Sequence, residues 1–235
     1  MNAEIEPRGL RYELKMDCEA IHLCVVRSWM QTNSAGFKRA YPPRQVNSLY
    51  FDTYDLDSYN RHIEGLYERY KLRLRWYGQE LKTAAGGQFE LKKKHGPVGD
   101  KLVLPLGYPV QLQGRSWQAV EGSFKAAVAS EAAAPFRENL SLSRPLVLTT
   151  YWREYYLSGN GRVRLTLDTR LCAYDQWNTA GPNLRFPTPS LDSVIVEFKC
   201  EVPDARYLSD LLAEWPLRVH THSKFIAAVD TAFER

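Results

Sequence analysis

The stretch RYKLRLRW, residues 69–76, alternates basic residues with large apolar ones. Successive side chains of a β-strand point to opposite faces, so this pattern predicts a strand with one cationic and one apolar face. Cations crowded at two-residue spacing repel one another unless an anion lies among them. The stretch therefore predicts a sheet whose apolar face packs against other elements and whose charged face is suited to an anion.

The same alternation recurs in other segments along the chain. The charged positions on these predicted strand faces are Arg11, Glu13, Lys15, Arg69, Lys71, Arg73, Arg75, Glu90, Lys92, Lys94, Arg162, Arg164, Asp168, Glu197 and Lys199. They comprise 11 basic and 4 acidic residues, a net charge of +7, whereas the whole chain has a net charge of +4. The positive excess of the protein thus lies on these faces.

Two arrangements are compatible with this pattern. The charged faces could be the solvated side of an ordinary antiparallel sheet whose other side packs on helices. Alternatively, the strands form an antiparallel β-barrel in an α+β fold, with charged residues lining the interior and helices packed outside. The stacking of Arg on Arg in several strands favours the barrel, because a solvated face normally mixes both signs with neutral polar residues. A channel lined with Arg and Lys suits a chain of phosphates.

Local patterns predict the remaining elements. Helices are expected at residues 19–30 with Asp17 as the cap, at 116–134 ending at Pro135, at 204–215, and from about residue 223. A strand is expected at 46–53 after a break at Pro42 and Pro43, and another at 193–200. Hairpins are expected from 69–77 with 88–94, and from 145–157 with 162–169 through Asn160 and Gly161.

The composition is typical of a globular protein, with 44% hydrophobic and 25% charged residues. No linker or repeat divides the chain, so we expect a single domain over residues 1–235. No apolar run is long enough to span a membrane, which predicts a cytoplasmic protein without a membrane segment of its own. The four cysteines have neither zinc-ligand nor redox spacing. The absence of an aromatic RNA-binding signature argues against a nucleic-acid partner.

Carboxylates among the cations would repel a bound anion. Their presence is explained if they hold a divalent cation that the anion also contacts. Mg²⁺ or Mn²⁺ is typically held by one or two carboxylates, with phosphate oxygens and water completing the coordination. Glu197, Glu13 and Glu90 are the candidate ligands, in that order. Each could equally be a salt-bridge partner that spaces the basic residues.

The charged strands also carry motifs that resemble a known family. These are RYELK (11–15), SLYFDT (48–53), KLRLR (71–75), FELK (89–92), RVRLTLD (162–168), VEFK (196–199) and SKF (223–225). In this order they resemble the VTC domain, the polyphosphate polymerase domain of the vacuolar transporter chaperone complex. That domain belongs to the triphosphate tunnel metalloenzymes of the CYTH-like superfamily. The resemblance spans nearly the whole chain.

The resemblance implies a tunnel-shaped barrel that binds ATP or another triphosphate with Mn²⁺ or Mg²⁺ and synthesises polyphosphate. The positions that match phosphate-contacting residues are Lys15, Arg73, Arg75, Lys92, Arg153, Arg164, Lys199 and Lys224, and Glu197 matches the metal ligand. Arg73, Arg75, Arg164 and Lys199 are the expected catalytic clamp, and Lys71 joins the phosphate-binding set through its place on the charged face. Related domains often work beside membrane proteins, so a membrane-protein partner is a further expectation.

Lys224 has support that is independent of the resemblance. It begins the last predicted helix, where a cation is unfavourable unless an anion lies nearby. The first motif departs from the wider superfamily, which usually places two glutamates before the lysine, because residue 11 is arginine. This departure favours the polymerase branch over metal-assisted hydrolysis. The rival hypotheses are a tunnel triphosphatase and a non-catalytic sensor of polyphosphate or inositol phosphates.

Overall fold

The computed structural model describes residues 11–96, 98–189, 191–217 and 223–233. Its strands are β1 (Arg11–Glu19), β2 (Lys38–Asp52), β3 (Glu68–Tyr77), β4 (Thr83–Ala84), β5 (Gln88–His95), β6 (Val98–Pro105), β7 (Val110–Gln111), β8 (Arg144–Leu157), β9 (Val163–Asp175) and β10 (Ser193–Glu201). Its α-helices are α1 (Leu23–Thr32), α2 (Asp57–Ile63), α3 (Trp117–Ala127), α4 (Ala134–Leu142), α5 (Ala205–Leu212) and α6 (Lys224–Phe233). Single 3-10 turns occur at Ala20–His22, Glu131–Ala133 and Val202–Asp204.

The main sheet of the described chain is antiparallel and has eight strands in the order β1-β10-β9-β8-β2-β3-β5-β6. No ladder joins the edge strands β1 and β6 within the described ranges. Glu13 of β1 nevertheless lies 3.9 Å from Lys92 of β5, near the far edge of the sheet. This contact requires the sheet to curl, and the structure confirms the predicted α+β fold as a curled antiparallel half-barrel with a charged concave face and helices outside.

The apolar sides of the strands pack on helices at two places on the convex face. Leu72, Leu74 and Phe89 of β3 and β5 belong to one cluster, which α3 and α4 cover with Phe124 and Phe136. A second cluster lies where α1 and α5 cover β1, β9 and β10. Burial of this apolar area supplies the main driving force for folding, and it leaves the alternate, charged positions on the concave side.

Helix α6 differs from the other helices because its first turn reaches the concave face. The ring of Phe225 lies 5.1 Å from that of Tyr50, a residue that pairs in register with Arg73. The Lys71 ammonium lies 5.2 Å from the same Phe225 ring. Helix α6 therefore covers the Lys71 end of the concave face.

Proline residues account for two differences from the predicted elements. Strand β2 begins at Lys38, so Pro42 and Pro43 lie within it rather than before it. The ladder between β2 and β8 shifts register between Tyr41 and Arg44, the residues that flank the two prolines. The prolines therefore lie where the ladder needs no backbone N–H donor. The helix predicted at 116–134 ends at Ala127, and Pro135 lies in the first turn of α4, where proline is tolerated.

The predicted cap of the first helix is wrong. Asp17 lies inside β1, opposite Ile195, and α1 starts only at Leu23 after the 3-10 turn. The helix predicted at 204–215 is shorter than expected and ends at Leu212. Strands β4, β6 and β7 and helices α2 and α4 were not predicted from the sequence. None of the helices in the described ranges is long and apolar enough to cross a bilayer.

Replacing Phe89 with alanine should lower the free energy of unfolding by about 3–5 kcal/mol, because the wholly buried ring packs against Phe124 and Phe136 and its loss leaves a cavity. Urea unfolding followed by circular dichroism measures this change. Phe186→Ala is the matched control, since that ring is 70% exposed and its removal should change stability by less than about 0.5 kcal/mol. Equal losses in both variants would contradict the assigned core.

Candidate functional site

The curl of the sheet gathers the predicted site residues from six strands and one helix. Glu13 and Lys15 come from β1, Lys71, Arg73 and Arg75 from β3, Glu90 and Lys92 from β5, Arg153 from β8, Arg164 from β9, Glu197 and Lys199 from β10, and Lys224 from α6. Most of them form three ion-pair clusters, each built around a buried carboxylate.

The first cluster surrounds Glu90, which is 2% exposed. The Arg73 guanidinium donates to Glu90 Oε2 at 2.8 Å, and Arg75 lies 3.5 Å from the same oxygen. Lys101 Nζ lies 2.8 Å from Oε1. Burial opposes the charge of the carboxyl group, but the surrounding cations outweigh it and hold the pKa of Glu90 below its usual range. Two arginines are thereby fixed side by side on the channel wall.

The second cluster surrounds Glu197 at the opposite side of the channel. Its Oε1 lies 3.2 Å from Lys15 Nζ and 3.3 Å from Lys199 Nζ. Glu13 also contacts Lys15, so that the Lys15 ammonium lies between the Glu13 and Glu197 carboxylates. Although Glu197 is buried, these neighbours and Arg153 lower its pKa well below the ordinary value. The same two carboxylates raise the pKa of Lys15 against the effect of its burial.

The third cluster links α6 to the sheet. Asp168 is fully buried and accepts two hydrogen bonds from Arg153, at 2.5 and 2.6 Å. Lys224 Nζ lies 2.6 Å from the second oxygen of Asp168 and 4.7 Å from the Tyr151 ring. Burial disfavours the ionised carboxyl, yet Lys224 and Arg153 together lower its pKa. Arg153 also lies 3.7 Å from Glu197, so the second and third clusters are continuous.

Lys71 is the cation whose charge is least compensated by the clusters. Its Nζ contacts the Ser223 hydroxyl at 2.8 Å, and no carboxylate among the described residues lies within ion-pair distance. Burial lowers the pKa of Lys71 to about 7, with help from neighbouring cations that include Lys15 and Arg73. Burial likewise lowers the pKa of Lys92 to about 8. An anion at this point would relieve the repulsion.

The two arginines at the start of β9 lie outside this network. Arg164 is exposed and pairs in register with Lys199, without an ion pair in the described part of the chain. Arg162 does not belong to the charged channel face, because its guanidinium contacts Asp204 at 2.6 Å and stacks on Tyr207 of α5. Its assignment to that face is therefore corrected.

Several contacts in the site were not found from the sequence. Lys101 of β6 joins the Glu90 cluster, and Gln88 donates to Glu90 at 2.7 Å. The Tyr50 hydroxyl accepts from Arg73 at 3.1 Å. The alternation in β5 could have directed attention to Gln88, but β6 carries a single basic residue and so lacks the repeated pattern.

A comparison with protein families identifies this architecture. The VTC domain family matches residues 12–233. The chain belongs to the VTC domain family. No curated protein sequence matches the chain at a significant level. The family match runs from β1 into α6 and so includes every strand of the channel.

Solved structures with the same fold share little sequence with this VTC domain. A candidate adenylate cyclase from Bacillus halodurans has a TM-score of 0.52 at 14% identity, with 92% of this chain and 94% of that chain covered. A candidate adenylyl cyclase from Hippeastrum, described as having a dominant triphosphatase activity, has a TM-score of 0.52 at 16% identity, with 94% and 95% covered. These likenesses show that the chain shares its fold with both solved proteins.

The Glu13–Glu197 pair fits the divalent cation that is typical of tunnel-fold proteins. Both carboxylates contact the ammonium group of Lys15, so they lie close enough to share a cation. No group of three or more Asp, Glu, His or Cys ligands occurs in the described ranges, so substrate oxygens and water would have to complete the coordination. Glu90 fits less well, because Arg73 and Lys101 each contact one of its oxygens at 2.8 Å, whereas the cations around Glu197 lie 3.2–3.7 Å from its oxygens.

Binding of inorganic triphosphate at pH 8 should take up protons. The Lys71 amine, with its pKa of about 7, is mostly neutral at that pH, and a bound polyanion favours its protonated form. Lys71→Met should reduce the proton uptake and flatten the fall in affinity between about pH 6 and about pH 8. Calorimetric titrations in buffers of different ionisation enthalpy measure the uptake. Unchanged uptake in Lys71→Met, compared with the surface control Lys125→Met, would refute the assignment.

Asp168→Asn should lower the free energy of unfolding at pH 7 by about 3 kcal/mol, because it leaves Arg153 and Lys224 without their buried partner. The folded pKa of Asp168 is depressed, so its stabilisation is present above the unfolded pKa of about 3.9 and is lost as the pH falls further. The difference from wild type should therefore narrow in acid.

Urea unfolding at several pH values tests this dependence. Asp210→Asn is the control, since Asp210 is exposed on α5 and its replacement should change stability by less than about 0.5 kcal/mol. A loss in Asp168→Asn no larger than that of the control, or one that is independent of pH, would contradict the buried-pair interpretation.

Proposed function

We propose that this VTC domain synthesises polyphosphate, by transferring the γ-phosphoryl group of ATP to the end of a phosphate or polyphosphate acceptor in the concave channel. The observation that carries the proposal is the surplus of buried and half-buried cations around Glu90, Asp168 and Glu197. Each carboxylate has at least two cationic partners, so the channel retains positive charge for a polyanion. The family match supports phosphoryl transfer as the type of reaction.

The carboxylates orient the cations before the substrate arrives. Glu90 holds Arg73 and Arg75, and Asp168 holds Arg153, in positions where their remaining N–H groups can meet phosphate oxygens. Such preorganisation is the main protein contribution to phosphoryl transfer, because the reaction needs aligned oxygens and neutralised charge rather than a protein nucleophile. Lys15 and Lys199 would bind the phosphates beside Glu197.

In the proposed reaction, an oxygen of the acceptor's terminal phosphate forms a bond to the γ-phosphorus of ATP as the bond to the leaving oxygen of ADP breaks. Arg73, Arg75 and Lys199 stabilise the charge on the transferred group, while Lys71 and Lys92 bind the acceptor chain. Glu197 and Glu13 would hold Mg²⁺ or Mn²⁺, which neutralises charge on the phosphate oxygens when bound. Arg164, at the exposed start of β9, would contact the substrate at the edge of the channel.

The triphosphatase alternative is favoured by the fold likeness to the Hippeastrum protein. In that reaction water replaces the polyphosphate acceptor and free phosphate is the product. Lys71, which contacts Ser223 and no carboxylate of the described residues, and Lys92, 3.9 Å from Glu13, favour an extended anion over water as the acceptor, since a single triphosphate would not need a second cationic region.

Incubation of the purified protein with ATP and Mn²⁺, with polyphosphate, free phosphate and cyclic nucleotide resolved in parallel, tests the proposal. Wild type should produce polyphosphate, and Lys199→Ala and Glu197→Gln should each lower its rate by about 100-fold, as expected for loss of one preorganised charged group. Lys92→Ala and Lys93→Ala form a matched pair on β5. Lys93 lies on the opposite strand face, so its removal should leave the rate within about twofold.

The products separate the alternatives. Free phosphate without polyphosphate, lost in the same variants, would replace the proposal with a triphosphatase. Tight binding of polyphosphate without turnover would replace it with a sensor. Equal effects of Lys92→Ala and Lys93→Ala would contradict the placement of the reaction on the concave face.

A further inference from the structure

Aromatic residues form a cluster at the end of the concave face that lies away from Lys71. We call Tyr41, Arg44, Tyr77 and Tyr155 the tyrosine–arginine cluster. The Arg44 guanidinium carbon lies 3.9 Å from the centre of the Tyr77 ring and 5.2 Å from that of Tyr155. Arg44 Nε also donates to the Tyr155 hydroxyl at 2.9 Å. Tyr41 packs edge-on against Tyr155, with ring centres 5.9 Å apart.

The register places this cluster on the same face as the phosphate-binding candidates. Tyr77 follows Arg75 by two residues on β3, and Tyr155 follows Arg153 by two residues on β8. A two-residue step keeps the side chain on the same face and moves it about 6.6 Å along the strand. The cluster therefore lies one two-residue step beyond the row of cations. The distance of this step is comparable with the distance between the phosphates and the base of a nucleotide.

The rings of the cluster are accessible although they lie next to buried charges. Tyr41 is 66% exposed and Tyr77 is 38% exposed, whereas Tyr151, four residues before Tyr155 on β8, is 2% exposed. The only charged member of the cluster is Arg44, and it is already stacked on a ring. An exposed, flat aromatic and guanidinium surface of this kind matches the π-face of a nucleobase better than it matches further phosphate groups.

We propose that the tyrosine–arginine cluster is the stacking platform for the base of the nucleoside triphosphate. This inference rests on the proposed function and specifies the orientation of the nucleotide along the channel. The base lies at the Tyr41–Tyr77 end, the triphosphate lies along Arg75, Arg73 and Arg153, and the growing polyphosphate leaves toward Lys71. The six residue-to-residue steps from Tyr77 to Lys71 on β3 span about 20 Å, which accommodates this arrangement.

The platform also has a consequence for nucleotide selectivity. Every base has a π-face on which it can stack, so the affinity of the cluster would differ only modestly from one nucleotide to another. Purines, which present the larger surface, should bind more tightly than pyrimidines. Inorganic triphosphate has no base, so its affinity should not depend on the residues of the cluster.

Calorimetric titration of the full chain with ATP and with inorganic triphosphate, both in the presence of Mg²⁺, tests the platform. Tyr77→Ala and Tyr41→Ala should each weaken ATP binding by about tenfold, the effect of losing one stacking partner, and should leave inorganic triphosphate binding within twofold. Tyr77→Phe, which keeps the ring, should retain the wild-type affinity for ATP. Tyr54→Ala, a 78% exposed tyrosine outside the cluster, should change neither ligand.

The two ligands separate failure of the platform from failure of the proposed function. If wild type binds both ligands and the Tyr41 and Tyr77 variants weaken neither, or weaken both equally, the platform is refuted while the polyanion channel stands. If wild type binds neither ligand, the proposed function and the platform fall together. Because Tyr41 is the more exposed ring, its variant gives the answer even if Tyr77→Ala does not fold.

Discussion

Buried ion pairs between few carboxylates and many cations are the constraint on which the concave face depends. Glu90, Asp168 and Glu197 are each 4% exposed or less and would be costly to bury alone. Each is offset by at least two cations, which would themselves repel one another without the carboxylate. Removing one charge therefore leaves the remaining charges of that cluster buried without a partner, which destabilises the whole cluster.

Apolar burial on the convex face stabilises the fold and offsets the cost of placing charged residues on the concave face. Strands that alternate charged and apolar residues can bury only one side, and the helices cover that side in separate clusters. Helix α6 is the exception, because it brings Lys224 and Phe225 to the concave face. It thereby couples folding of the last described helix to the charge balance of the site.

The channel is also differentiated along its length, which matters more for its chemistry than its net charge does. Its middle contains fixed arginine–carboxylate pairs, one end contains lysines with weakly compensated charge, and the other contains exposed tyrosines. A uniform cationic surface would bind any polyanion in either direction. The same fold occurs in solved structures that are only 14–16% identical to this chain, and a shared fold does not by itself determine function.

Most strands of the main sheet, their charged faces and most charged residues of the concave face could be predicted from the sequence, because side-chain alternation has a period of two and is recognisable locally. Strand β6 could not, because it carries a single basic residue. The sequence could not decide that Lys101 joins Glu90, that Arg162 turns away to Asp204, or that Lys92 approaches Glu13. Those contacts depend on strand order, register and the curl of the sheet, which bring together residues far apart in the chain. The tertiary structure alone decided which cations are neutralised and which remain available to an anion.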